Sequence, residues 1–344
     1  MNYENFAHDM MGDITEKLSQ LYGPVESTMT SISKLQGASY DGASFKPEGK
    51  AIGATVNLRE AFREVEAGVQ YSVVCDRICE SLVEALNNTP QIDVDELLNY
   101  DSVKSHLTMQ IVSTEYNADK LADVPHKEIQ DMSIVYRIDL GETTRGGEIS
   151  TLVTNSLMKA FNVTTDQLHQ DALENAPKLH PMEITPLRSY LSQNYGFDDM
   201  MPVPPDVPEL LIASNEEKVN GASVIAYPNF FEEAAKVAGG DFFILPSSIH
   251  EVLLIRDAGQ FTPQELEAMV TEINADVVDP TEQLTNNVYR YDTNLHVLET
   301  GRQFLHRMAE QEKPSILANL QAKAQEVKPP VPGRNAPEKA DVTL

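Results

Sequence analysis

Apolar residues in this chain change period repeatedly without settling into one repeat, and that irregularity limits the fold more than any motif does. Over 4–22, Phe6, Met10, Ile14, Leu18 and Leu21 recur at helical spacing, and Gly23-Pro24 stops the run. Val25 to Leu35 is β-like, and Ala51 to Leu58 reads as another short strand. The stretch between them, QGASYDGASFKPEGK, holds Asp41-Gly42 and Pro47 and reads as a loop. Asn57 is placed to cap a helix over Leu58 to Ala67. Ser72 is placed to cap a second helix, striped by Val74, Ile78, Leu82 and Leu86. Strands and helices do not alternate as βαβ units would. The predicted class is therefore α+β, with mainly antiparallel sheet and flanking helices.

Further on, residues 93–105 read as a short helix and Leu107 to Thr114 as a strand. Met132 to Leu140 sets Ile134, Tyr136 and Ile138 on one face and Val135 on the other. Gly146-Gly147 offers a hairpin turn into Ile149 to Thr154. Helices are expected from Ser156 and from Thr164 to Ala176, the latter ended by Pro177. Six prolines between 181 and 208 mark a linker, so the chain divides into an N-terminal lobe, 1–180, and a second lobe, 209–300. The second lobe carries strands near Leu210 to Ser214, Ser223 to Ala226, Asp241 to Leu245 and Glu251 to Arg256. Its helices cover Asn229 to Ala238 and Thr262 to Ala275, and Tyr289 to Val297 suits a closing hairpin. Thr164-x-x-x-Leu168 and Thr262-x-x-x-Leu266 open helices alike; a common capping pattern accounts for this as well as duplication does. Residues 301–326 read as a helical extension, and 327–344, rich in proline and poor in apolar bulk, as a disordered tail.

Charge narrows the function. The chain has 53 acidic and 26 basic residues, a net −27, and residues 209–300 hold 16 acids against 4 bases. Direct nucleic-acid binding needs a basic footprint, and an anionic membrane surface would repel this chain. No apolar run is long enough for a membrane span, and MNYENFAHDM lacks a signal-peptide pattern. Two cysteines build no disulfide framework, which points to a reducing cytoplasm.

The chemical motifs fail on spacing. Gly42 to Lys50 has six residues between Gly42 and Gly49 where a phosphate loop has four, and Ala51 where the loop needs a hydroxyl. Ser156-Leu157-Met158-Lys159 fits S-x-x-K, but so does Ser31 to Lys34, and the companion elements are missing. Cys75 and Cys79 share a helix face beside apolar residues and read as buried small hydrophobes. The eight histidines are dispersed, so neither a metal nor a cofactor is expected. One stretch stays as a candidate binding site: Pro246, Ser247, Ser248 and His250, a turn with hydroxyls and an imidazole between apolar strands. Its bland alternative is a tight turn whose serines satisfy backbone groups.

Several segments form a signature: MNYENF, VNLREAFREVEAGVQYSVVCDRICESL, ADVPHKEIQDMSIVYRIDL, LVTNSLM, TTDQLHQDALENAP and GGDFFILPSSIHEVLLIRD. Together they resemble a domain-of-unknown-function family of gut Firmicutes, often carried on plasmids and integrative mobile elements, over roughly residues 1–300. The resemblance implies a genomic context and no activity. The expected function is a non-catalytic cytoplasmic binding or accessory protein with an unknown protein partner. Two alternatives stand beside it: an acidic mimic of duplex DNA that sequesters a DNA-binding protein, and an enzyme that uses the Pro246–His250 turn.

Overall fold

The computed structural model describes residues 2–33, 35–36, 39–50, 53–88, 94–142, 148–195, 209–246 and 248–311. The chain opens with α1 (Tyr3–Tyr22), β1 (Val25–Ser33), β2 (Ser39–Pro47), β3 (Ala54–Asn57), α2 (Leu58–Glu66) and α3 (Tyr71–Asn88). Phe6, Met10, Ile14 and Leu18 of α1 are fully buried against Leu58 and the α3 stripe Val74, Ile78, Leu82 and Leu86. Leu21 does not join them and is 66% exposed. Gly23 closes α1 at φ +79°, its N–H donating to the Ser19 carbonyl, a backbone state that glycine adopts without a Cβ penalty. Asn57 caps α2 as expected, accepting from the N–H groups of Arg59 and Glu60.

Two expectations fail in this unit. The segment read as a loop contains β2, paired with all nine residues of β1, and Asp41-Gly42 lies inside the strand opposite Ser31 and Thr30. Ala43 and Phe45 alternate toward the core and are fully buried, and that burial outweighs the local turn preference. Helix α3 begins at Tyr71, with the Gln70 carbonyl accepting from Val73 and Val74 N–H, so Ser72 is helical and not the cap.

The remainder runs through α4 (Val94–Leu97), α5 (Tyr100–Val103), β4 (Leu107–Ser113), α6 (Ala118–Leu121), β5 (His126–Ile129), β6 (Met132–Glu142), β7 (Glu148–Leu152), α7 (Asn155–Phe161) and α8 (Thr165–Leu179). It continues with β8 (Met182–Pro186), α9 (Leu187–Tyr195), β9 (Leu210–Asn215), α10 (Phe230–Ala238), β10 (Phe242–Leu245), β11 (Val252–Arg256), α11 (Pro263–Asp276), β12 (Tyr289–Asp292) and β13 (Val297–Thr300). A further helix, α12, covers 301–311. Strands β4, β6 and β5 form one sheet, joined by β7 on β6, and a six-stranded sheet has the order β13-β12-β10-β11-β9-β8. The pairings in both are antiparallel. The fold is α+β, as the irregular patterning implies.

One apolar cluster reaches from Val103 to Tyr291 and packs the inner faces of both larger sheets together, while a separate one holds Phe6 to Leu86. The first of these crosses the 180/209 boundary. Within the expected linker, residues 182–195 form β8 and α9, with Pro186 ending an edge strand, where a missing N–H is tolerated. Residues 196–208 lie outside the described residues, as do the Gly146-Gly147 turn, 312–326 of the expected extension and the 327–344 tail.

Three boundaries are corrected. Pro177 sits inside α8, which continues to Leu179. The helix expected from Ser156 begins at Asn155 and is capped by Thr154, which accepts from the Leu157 N–H. Ser223 to Ala226 is part of a 3-10 helix (Gly221–Ala226), not a strand. Its backbone turns tightly there because the Ala222 N–H donates to Ile249 O and the Ser223 N–H to Asn220 O.

Candidate functional site

The 246–250 turn joins β10 to β11, two strands whose Phe242–Leu245 and Val252–Ile255 stretches are largely buried. Apolar pairing brings the turn to the end of the sheet, beside the loop that follows β9. Ser248 and Ile249 are buried, and His250 is half-buried. Ser247 lies outside the described residues. The Ser248 hydroxyl accepts from the His250 backbone N–H at 3.0 Å. The Ile249 N–H donates to Glu282 O at 2.9 Å. Ser214 Oγ donates to the His250 carbonyl at 2.7 Å. On the ring, the Asn220 N–H donates to His250 Nδ1 at 3.3 Å, so the pattern puts the neutral ring's proton on Nε2. That nitrogen faces Glu282 Oε1 at 3.4 Å.

Among the described residues, this arrangement sets a carboxylate beside an imidazole, with no hydroxyl hydrogen-bonded to the ring. The Ser248 hydroxyl engages backbone rather than the imidazole, so a serine–histidine–acid relay is not assembled from these three. Beside the turn, burial raises the Glu251 carboxyl above the usual carboxylate range; the nearby Glu282 adds to the rise, and His250 acts against it.

The β9 loop is shaped to meet the turn. Lys218 and Asn220 adopt left-handed backbone, at φ 59° and 52°. The Asn215 side chain donates to Val219 O and accepts from Val219 N–H. Asn220 helps to line a small cavity of about 10 Å³, with Thr108, Arg137, His180, Asn215 and Ser223. His180 is buried there, its Nδ1 3.3 Å from Glu217 Oε2 but without a hydrogen bond in geometry. Sequence reading passed over His180 and Arg137 because they lie far from 246–250 in the chain and carry no local pattern.

Elsewhere the histidines are used one at a time. His169 Nδ1 meets the Tyr136 hydroxyl at 3.1 Å, and burial, reinforced by Lys127, lowers the ring's pKa. His126 Nδ1 lies 2.8 Å from the Val124 carbonyl. Cys75 and Cys79 are free and buried, and burial lifts the Cys79 thiol to about 11. Among the described residues, no three His, Cys, Asp or Glu side chains gather as a metal site. An open groove of about 410 Å³ lies between α1 and α3, lined by His8, Asp9, Gly12, Asp13 and Tyr71. Tyr71 donates to Asp13 there at 2.7 Å.

A second polar centre was also missed. Arg290 on β12 is buried among Asp241 at 2.6 Å, Asp257 at 2.7 Å and Asp292 at 3.2 Å. Arg307 of α12 reaches Asp292 and Glu299, and Phe304 stacks under the Arg290 guanidinium at 4.4 Å. This centre fastens α12 to the sheet. Its members are spread over 67 positions, from Asp241 to Arg307, so no short motif announces it.

No helix among the described residues is long and apolar enough to cross a membrane. Neither the curated proteins nor the solved structures contain a match to this chain. One family model does match, over residues 3–293, nearly all of the described fold: the chain belongs to the family of unknown function DUF5688.

Proposed function

We propose that this chain is a non-catalytic binding or accessory protein that acts on a protein partner through its acidic surface. One observation carries the reading. Among the described residues of the 246–250 turn, hydrogen bonds tie the turn to itself and to the neighbouring loop: Ser248 Oγ accepts from the His250 N–H, His250 Nδ1 accepts from the Asn220 N–H, and the His250 carbonyl accepts from Ser214 Oγ. Such bonds hold loops together, and no described hydroxyl of the turn is hydrogen-bonded to the imidazole as an activated nucleophile would be. The groove lined by Asp9, Asp13 and Tyr71 supplies the complementary half, since two carboxylates beside a phenol suit a cationic side chain of a partner. Reduced, buried cysteines agree with a cytoplasmic setting, and the sequence resemblance supports a role alongside a mobile element of gut Firmicutes.

The test is incubation with a metabolite extract of the host, read by mass spectrometry, for the wild type and for His250→Ala. The reading predicts no compound consumed by either. A compound consumed by the wild type and spared by His250→Ala would establish catalysis and overturn it.

A further inference from the structure

Gln36 stands at the tip of the β1–β2 hairpin in left-handed backbone, at φ 66°, and is buried. Its partners, Ser113, Asn117 and Gln283, lie later in the chain than the Phe6–Leu86 cluster. The Gln36 N–H donates to Asn117 Oδ1 at 2.5 Å, and its Nε2 donates to Gln283 O at 2.7 Å. Its Oε1 accepts from the Ser113 N–H at 3.2 Å and from Asn117 Nδ2 at 2.6 Å. Asn117 is itself oriented by donating to Ser113 O at 2.7 Å. Next to it, Leu35 packs on the small cluster of Val112, Leu121, Val124 and Val135. One apolar anchor and one amide matched at both oxygen and nitrogen make a specific seat.

Among the described residues, 2–88 build a core of their own. Among the described residues, the cluster from Phe6 to Leu86 draws no member from later in the chain. The elements of residues 2–88 pack on one another, with α1 on α3, α1 on β1 and α2 on β2. A unit with its own core opens as a unit when few contacts bind it elsewhere.

We propose that residues 2–88 form an arm that docks reversibly on the remainder, with Leu35 and Gln36 as its key and the Ser113–Asn117–Gln283 seat as the surface that receives them. The seat recognises a carboxamide by a donor and acceptor on each side; neither a carboxylate nor an alkyl group satisfies both. When the arm lifts, the Ser113 N–H loses its acceptor and exchanges with solvent while both cores stay folded.

Amide hydrogen exchange on the full chain, resolved by NMR, tests this. In the wild type, the Ser113 amide should exchange through an opening weakly dependent on denaturant, faster than amides of the β4–β6 ladder and of α1 and α3. Gln36→Ala should speed Ser113 exchange roughly tenfold or more, the loss expected for hydrogen bonds of this kind, and leave the amides of both cores unchanged. Asn117→Ala, which alters the seat and not the key, should do the same. Acceleration spread equally over both cores, failure of Gln36→Ala to fold, or unchanged Ser113 exchange would each overturn the proposal. The first two would make the arm part of one cooperative unit, and the third would show that Gln36 does not hold it.

Discussion

A Cβ at position 221 would lie 2.0 Å from Ser214 Oγ, 2.4 Å from the His250 carbonyl oxygen and 2.8 Å from the Asn215 nitrogen. Two of those three atoms are backbone, so little can yield. Gly221→Ala should cost about 2–3 kcal/mol or more, the range for overpacking a tight site, as measured by denaturant unfolding. Glu251 tests the same region through charge. Burial, the main cause, raises its carboxyl above the ordinary 4.5. A raised folded value means that the group favours folding when protonated, and that this contribution is lost as pH rises through the folded value. Glu251→Gln should therefore raise the melting temperature at pH 7, by about 1–2 °C, with the gain shrinking at pH 4. An unchanged or lowered melting temperature at pH 7 would show that the carboxylate is compensated. In the sequence, Ser248 and His250 were visible as a polar turn between apolar strands. Gly221, Asn220 and Ser214 were not, because their importance comes from close approach across some thirty residues.

Helix starts carry their own chemistry, and much of it is readable. Asn57, Thr164 and Thr262 are caps in the structure; Thr262 and Glu265 also form a reciprocal capping box. These positions stand out because a short polar side chain precedes an apolar stripe. Thr154 and Ser156 compete for the same start, and only packing decides between them. Thr154→Ala should cost about 1 kcal/mol, and Ser156→Ala less than about 0.5 kcal/mol. Equal losses in urea melts would contradict the cap assignment. Strand β2 shows the opposite case. Its Asp41-Gly42 pair signals a turn to any local reading, yet Ala43 and Phe45 are fully buried and the pairing with β1 runs unbroken through it. Tertiary burial overrides local preference there, and a single sequence offers no sign of it.

Between the six-stranded sheet and α12, the molecule relies on buried charge. Burial would raise the Asp241 carboxyl, but hydrogen bonds from Thr293 and the Arg290 charge outweigh it and hold the group below the ordinary 3.8. Asp292 is likewise lowered against burial, by the Leu295 and Asn294 N–H groups and by Arg290. Depressed carboxylates stabilise the fold above their unfolded value, and that contribution is lost as pH falls through the lower folded values. Stability should therefore fall below about pH 4. Arg290→Met should cost about 3–5 kcal/mol at pH 7, since it leaves Asp241, Asp257, Asp292 and Glu299 facing one another around a single remaining arginine. The same variant should flatten the acid-side decline, and an unaltered acid profile would show that Arg290 does not set it. We propose that His250 serves to build the protein, tying the 246–250 turn to Asn220, rather than to do chemistry. The most direct measurement is the unfolding free energy of His250→Ala. Loss of the acceptor for Asn220 N–H predicts a drop of about 1–3 kcal/mol. Unchanged or increased stability, the mark of a residue kept for activity at the expense of the fold, would contradict it.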